Sequence, residues 1–516
     1  VSKTKIVIAA IIWLILIGSA VAVWRLWMQP TLNKAEQRKQ EEREKELQKD
    51  TKGSSQYDHQ LKLALDGFSG YAVLRSEAFA ERLRQKRIRI EMIDDQANYT
   101  ERLESLAVGK AQFAAFPLDS LIKASAAANK LPATAIAVID ESQGADAMLA
   151  YRDKYPNIDA IEKNPLTKIV LVGDSPSETL ARVVLNDFGM RESATEKIVS
   201  VGDADSLKKR YQAAVPGGDE VFVTWEPLVS EMLNNDQLHV LVDSSRFSGY
   251  VVDCLVVSRD FASKNEEVMR DVLESYFAAL YEFREDQAMS ELLIQDSKSS
   301  TTGAIGLTAA QSQKLLKQIA WRNTQENYVH FGLRNETKLS NIEDMSKKIV
   351  RVLLATGALK SDPLEGDYTK IFFEKPLSQL RDKGFNPGIS EEQIRGNAPL
   401  PSLSEAQWDT LIAVGTLSVP PLVFGRGTSK LTEQSQQTLD ELIEQLNSWP
   451  QYYLLIRGNA STRGNVEANK KLALERAVSA LDYLKSHGVE GNRMRAVAGD
   501  LTGETSVQFV FGQTPF

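Results

Sequence analysis

From Gln60 to about residue 260, short runs of β-forming residues alternate with stretches of helical spacing. LKLALDG reads as a strand entering a glycine turn, YAVLRSEAFAERLRQ as helix, IRIEMID as strand and NYTERLESLAVG as helix. QFAAFPLDS reads as a short buried strand followed by a turn, and ATAIAVIDES as another strand. LTKIVLVGDSPSETLARVVLNDFGM gives strand, turn and helix, and DEVFVTWEPLVSEMLNN repeats that plan. Strands joined through helical crossovers of this length predict parallel α/β sheet. Two such runs occur in series, with exchange near residues 135–150 and again near 240–260.

In open α/β sheets a ligand sits beyond the carboxyl ends of the strands. Those ends supply Ser69, Tyr71, Phe116, Asp119, Asp140, Ser142, Ser175, Ser177 and Trp225 as ligand-binding candidates, with Arg246 in the loop VDSSRFSGY. Ser175 and Ser177 fall at a helix start, where free N–H groups attract anions; an ordinary helix cap explains them equally well. Pro176 suits the first helical turn under either reading. Trp225 reads either as an apolar wall over a ligand or as core. Arg246 reads as a charge partner for an anion or as an exposed loop arginine. Asp66, Asp119, Asp140, Glu141, Asp174 and Glu226 share the same rim, so a cationic or zwitterionic solute fits better if several of them face the cleft.

Residues 58 to about 385 resemble the periplasmic solute-binding proteins of the nitrate/taurine/alkanesulfonate type. The segments that carry the resemblance are LALDGFSGYAVLRSEAF, ERLESLAVGKAQFAAFPLDS, AVIDESQGADAMLAY, KIVLVGDSPSETLARVVL and VTWEPLVSEML, with the tail IEDMSKKIVRVLLATGALKSDPLEGDYTKIFF. The resemblance implies a type II periplasmic-binding-protein fold. It has two α/β lobes joined by crossing strands, a solute in the cleft, and no covalent chemistry. The family's anionic substrates do not carry over, because of the acidic rim.

After a polar, proline-containing linker at 386–407 the pattern becomes strand, helix (432–447), strand (Tyr452–Arg457), helix (468–487) and two short strands, a small α+β sandwich over 408–516. LVFGRGTSKLTEQSQQTLDEL, IRGNASTRGNVEAN, LALERAVSALDYLKSHGV and NRMRAVAG resemble the OmpA-like peptidoglycan-binding domain. The resemblance implies that an aspartate after the second strand and an arginine in the second helix clasp the stem peptide. The arginine falls on Arg476. The aspartate position falls on Ser461, leaving Asn459, Ser461, Asn465 and Asn469 as neutral hydrogen-bonding groups, so wall binding is expected to be weakened, altered or lost.

At the other end, Ile6 to Trp24 is 19 residues without a charge. As a helix it spans about 28 Å, close to the hydrocarbon thickness of a bilayer. A cleaved signal peptide, with Ala20-Val21-Ala22 as cleavage pattern, competes with an uncleaved anchor; the length of the run favours the anchor. The expected order is a cytoplasmic tail (1–5), a single-pass inner-membrane segment (6–27), a charged helical stalk (28–56), the solute-binding-like domain (57–385), the linker and the wall-associated domain, all periplasmic after the anchor. Gly18 and Ser19 would let two such helices approach as a homodimer. The run holds no titratable group, which disfavours an ion-carrying stator.

A formal net charge of −8 argues against nucleic-acid binding. A single cysteine, Cys254, excludes an intramolecular disulfide, and four scattered histidines show no ligand spacing. No metal, cofactor or catalytic constellation is expected. The expected partners are a small polar solute, peptidoglycan and a polytopic membrane protein that takes up solute or signal. A non-catalytic scaffold using both modules for protein and wall contacts is the alternative.

Overall fold

The computed structural model describes residues 57–299, 306–335, 339–387, 394, 399–502 and 505–515. The expected tail, membrane segment and stalk lie outside them. Among the described residues no helix is long and apolar enough to cross a membrane.

Three sheets organise the chain. The first has the order β11-β4-β10-β3-β1-β2, built from β1 (His59–Leu65), β2 (Ile88–Asp94), β3 (Phe113–Pro117), β4 (Ala133–Ser142), β10 (Val252–Ser258) and β11 (Ile319–Trp321). The second has the order β7-β6-β8-β5-β9, from β5 (Asp146–Tyr151), β6 (Lys168–Val172), β7 (Ile198–Val201), β8 (Glu220–Trp225) and β9 (Leu238–Asp243). Each sheet with its helices is one lobe. The chain passes between lobes twice, from β4 to β5 through residues 143–145 and from β9 to β10 through 244–251.

The parallel expectation holds for β1 with β2 and β3, and for β6 with β7 and β8. It fails at the crossings. β10 runs antiparallel to β3 and β4, and β5 antiparallel to β8 and β9. A strand that returns from the other lobe enters its sheet from the far end, so its direction is reversed. A second difference lies in QFAAFPLDS. Leu118 opens a helix, Leu118–Ala128, directly from β3, with no intervening turn.

β4 and β5 are buried along their whole length, as expected for strands covered on both faces. One apolar cluster runs through both lobes into the carboxyl-terminal domain, and a smaller one, around Val170, Phe222 and Leu207, fills the other face of the second lobe's sheet.

The third sheet has the order β12-β15-β13-β14, from β12 (Ile412–Thr416), β13 (Tyr453–Ser461), β14 (Met494–Thr502) and β15 (Ser506–Gln513). Helices Glu433–Ser448 and Val466–Ser486 complete it. The last two strands, at 9 and 8 residues, are longer than the sequence suggested. The end of the expected linker is structured too. Ser404 and Gln407 form a capping box for a short helix, and Trp408 packs edge-on against Tyr453 at 5.4 Å.

This domain is docked on the two-lobed module. Trp449 is fully buried, with its ring 5.8 Å from Phe188 of the second lobe and 5.1 Å from Phe247 of the second crossing. Its indole N–H donates to Asp187 Oδ2 at 2.6 Å. Main-chain bonds run from Ile158 N to Val414 O at 2.8 Å, from Ser418 N to Asp187 O at 2.9 Å and from Ser248 N to Ser448 O at 3.0 Å. Asp159 accepts from Thr416 N at 2.7 Å.

Candidate functional site

The carboxyl ends of strands from both lobes converge on a set of buried acids. Asp140 and Asp253 are direct cross-strand partners on β4 and β10. Like charges in that register repel. Neither Asp140 oxygen has a hydrogen-bond partner apart from the Asp253 carboxyl, and the side chain is fully buried. Gly70 lets it lie there, since a Cβ at that position would meet Asp140 Oδ2 at 2.3 Å. Tyr71, buried below, donates its hydroxyl to Asp253 Oδ1 at 2.5 Å. Burial raises both carboxyls, and their mutual repulsion raises Asp140 further.

Asp146 opens β5 across the first crossing. Ser142 Oγ donates to its Oδ2 at 2.8 Å and lies 2.7 Å from Ser244 Oγ of the second crossing. Burial pushes Asp146 up to about 7. Asp119 sits in the first turn of the helix Leu118–Ala128. It is raised by burial and held back by Lys123, and its Oδ1 is buried without a partner.

The lobes touch directly here. Thr179 Oγ1 of the second lobe donates to Asp119 Oδ2 at 2.5 Å, and Ser120 Oγ of the first donates to the Asp174 carbonyl at 2.8 Å. Lys123 Nζ lies 3.1 Å from Glu178 Oε2. Burial works against the Glu178 carboxylate, but Lys123 and Arg182 overcome it and hold its pKa at about 2. Asp66 is answered by Arg102, at 2.8 Å, which also binds Asp95 at 2.5 Å.

Tyr71, Asp119, Asp140 and Ser142 are thus brought together. Phe116 is buried nearby, 5.5 Å from Tyr99. Ser69 begins the turn that carries Tyr71 and is half-buried. Ser175 precedes the helix Pro176–Asp187 but does not cap it; its hydroxyl donates back to the Val172 carbonyl at 2.7 Å. Ser177 Oγ is buried in the first turn without a partner. Trp225 is half-buried against the second lobe's smaller apolar cluster. Arg246 lies over the Tyr452 ring at 5.5 Å, facing the carboxyl-terminal domain.

Asp146, Asp253 and Thr179 were missed as site residues. The signal for Asp253 was present: a lone acid inside the apolar run VVDCLVV. Among the described residues no three His, Cys, Asp or Glu side chains are placed to hold a metal.

In the third sheet, Arg476 Nε donates to the Thr428 carbonyl at 3.0 Å and its guanidinium covers the Phe424 ring at 4.8 Å. Asn469 Nδ2 donates to the carbonyls of Ser461 at 2.9 Å and Arg463 at 2.7 Å. Ser461 Oγ accepts from Arg463 N at 3.1 Å. Asn465 caps the second helix, accepting from Ala468 N at 3.0 Å. Asn459 is buried, accepting from Asp500 N at 3.0 Å, so its side chain braces β13 against β14.

Residues 85–287 match the NMT1/THI5 like family, and residues 423–506 match the OmpA family. The chain joins an NMT1/THI5-like segment to an OmpA-family segment. The peptidoglycan-associated lipoproteins of Rhizobium meliloti (strain 1021) and Brucella melitensis biotype 1 are each 38% identical over 77 residues, 15% of this chain and 44% and 46% of theirs. The chain therefore spans less than half the length of these curated relatives. Among solved structures, a putative periplasmic sulfonate-binding protein SsuA from Methylobacillus flagellatus KT aligns over 66% of this chain and 98% of its own, at 14% identity and TM-score 0.47. The periplasmic nitrate-binding protein NrtA from Synechocystis PCC 6803 aligns over 63% and 88%, at 12% identity and TM-score 0.48.

Proposed function

We propose that this chain is an envelope receptor that binds a small polar solute between its two lobes and associates with the cell wall through its OmpA-family domain. The buried Asp119 Oδ1, which has no partner, and the Asp140 oxygens, which no donor reaches apart from the neighbouring Asp253 carboxyl, carry this reading. Polar atoms so enclosed ask for a donor, and they lie where the two lobes meet. Tyr71, Ser142, Asp146 and Asp253 complete the set of groups a solute would meet. Lobe closure would follow from preferential binding to the closed form.

In this reading the run Ile6 to Trp24 anchors the chain once in the inner membrane, the bulk lies in the periplasm, and a polytopic membrane partner receives solute or signal. On the wall side, Ser461, Asn469 and Arg476 face the stem peptide, with Ser461 lacking the charge for its ammonium. The assignment is non-enzymatic.

A scaffold without a ligand is the second reading. It is favoured by the direct lobe-to-lobe bonds at Asp119, Ser120 and Lys123, which hold the two lobes against each other. A thermal-shift and calorimetric screen of the full chain against amino acids, polyamines and other small polar solutes separates the two. A saturable shift abolished by Asp140→Asn supports the receptor; no shift with any solute supports the scaffold. Co-sedimentation with purified peptidoglycan tests the wall module independently.

A further inference from the structure

A groove of about 1990 Å³ lies between the receptor module and the carboxyl-terminal domain, lined by both. One wall is a face of the helix Ile342–Ala355. On that helix Asp344, Lys347, Lys348 and Arg351 fall at i, i+3, i+4 and i+7, a single stripe, and all four line the groove. Ile342, Met345, Ile349 and Leu353 hold the opposite face in the core. Across the groove stand Glu444, Asn447 and Gln451 of the docked domain.

The charges divide into two kinds. Arg322, at the floor, is already answered by Glu141 and Glu326, and Arg351 reaches Glu444 at 3.2 Å. Lys347 and Lys348 make no ion pair among the described residues, and Lys317 and Arg334 add further positive charge to the lining. Among the described lining residues, Asp344 and Glu490 are the acids that oppose these four. On a chain whose net charge is −8 this is a local reversal of sign.

Lys348 is half-buried. Burial lowers its pKa; Asp344, Glu141 and Glu444 work against the shift and Arg351 reinforces it. None of these acids closes an ion pair with it, and an ammonium so enclosed costs free energy that a bound anion would offset. The floor adds a second observation. His330 is 1% exposed, and its Nδ1 lies 2.7 Å from the Ser340 carbonyl, which makes Nδ1 the donor. Nε2 is then a buried acceptor, and it has no partner. A ligand hydroxyl would satisfy it.

We propose that the groove between the two modules binds a small multivalent anion carrying carboxylate or phosphate groups and a hydroxyl, held by Lys347 and Lys348. The space and the spread of cations suit several charges on one ligand better than a single ion. This inference is independent of whether a solute enters between the lobes.

The test is calorimetric titration of the full chain with citrate and, separately, with tripolyphosphate. Saturable binding of at least one is expected, weaker at high salt. Lys348→Met, which removes one half-buried charge contact, and Lys347→Glu, which reverses an exposed one, are each expected to weaken it about tenfold. A parallel readout is acylation of Lys348 by an amine-selective reagent, mapped by mass spectrometry, which the bound anion should slow. If Lys348→Met lowers the melting temperature, Lys347→Glu and the protection measurement decide the matter. No saturable binding of either anion overturns the proposal, as does binding that survives both substitutions. Attachment to anionic vesicles without binding to either free anion overturns it too.

Discussion

Replacing Asp140 with Asn is expected to stabilise the ligand-free protein, and to do so more at pH 8 than at pH 5. In the folded chain Asp140 is fully buried and stands opposite Asp253 across the β4–β10 ladder. Both carboxyls are pushed up by burial, so the folded state keeps protons there that the unfolded chain has released. Where the folded state binds more protons, stability falls as pH rises. The loss begins near the unfolded value of about 4 and continues through the raised folded values. Asp146, pushed up to about 7, adds to the same slope. Each unit by which the folded pKa exceeds the unfolded one costs about 1.4 kcal/mol once the pH has passed both values. Asn keeps polar atoms that still need partners but offers its N–H to Asp253, which puts the expected gain at about 2 kcal/mol at pH 8. Over a two-lobed module of this size, at about 2.1 cal/mol/K of unfolding entropy per residue, that corresponds to roughly 3 °C in the midpoint of its transition. Scanning fluorimetry of both proteins at pH 5, 6.5 and 8 measures it. An equal gain at pH 5 and pH 8, or a loss at pH 8, would refute the reasoning, because it would mean that the pair does not titrate against itself. If a cationic solute is the ligand, the same variant loses its thermal shift.

Trp449→Ala is expected to cost about 3–5 kcal/mol of docking and packing free energy, and limited proteolysis should then release the carboxyl-terminal domain faster than from the parent chain. Ser461→Asp is expected to raise co-sedimentation with peptidoglycan by restoring a carboxylate opposite the stem-peptide ammonium, and Arg476→Ala to lower it; no change in either variant would remove these residues from the wall contact. Lys123→Met is expected to loosen the lobes, read as faster amide exchange at residues 118–123. The Lys123–Glu178 pair itself should not respond between pH 5 and 9. Glu178 is held at about 2, so its contribution is complete above the unfolded value of about 4.3 and is lost only as pH falls through about 2.

The alternation of strands and helices was legible because each element carries its own period, and IRIEMID and ATAIAVIDES were bounded to the residue. Strand direction was not. Whether a buried strand such as VDCLVVS runs with or against its neighbour depends on where the chain has been in between, which no local pattern records. The acidic rim was visible as a list of strand-end carboxylates, of which Asp119 and Asp140 are fully buried and Asp119 reaches Thr179 of the other lobe. What the list could not separate was the face on which each acid falls. Glu141, one residue past Asp140, points the other way, to Arg322 and the inter-module groove. Asp66 is spent on Arg102, 36 residues downstream in another element. Arg246 went astray for a related reason: the ring it covers, Tyr452, belongs to a separate domain. Long-range pairing of this kind leaves no trace in spacing.

The insertion of Trp449 between Phe188 and Phe247 has a mechanical consequence. The indole keys the last domain to the second lobe and to one of its two connecting straps, so these parts share a frame of reference. If the mesh outside holds that domain still, the half of the molecule bearing β6 to β9 is stationary with it. Any bending at the straps then appears entirely as travel of the other half, the one from which the chain's amino-terminal segment leads away.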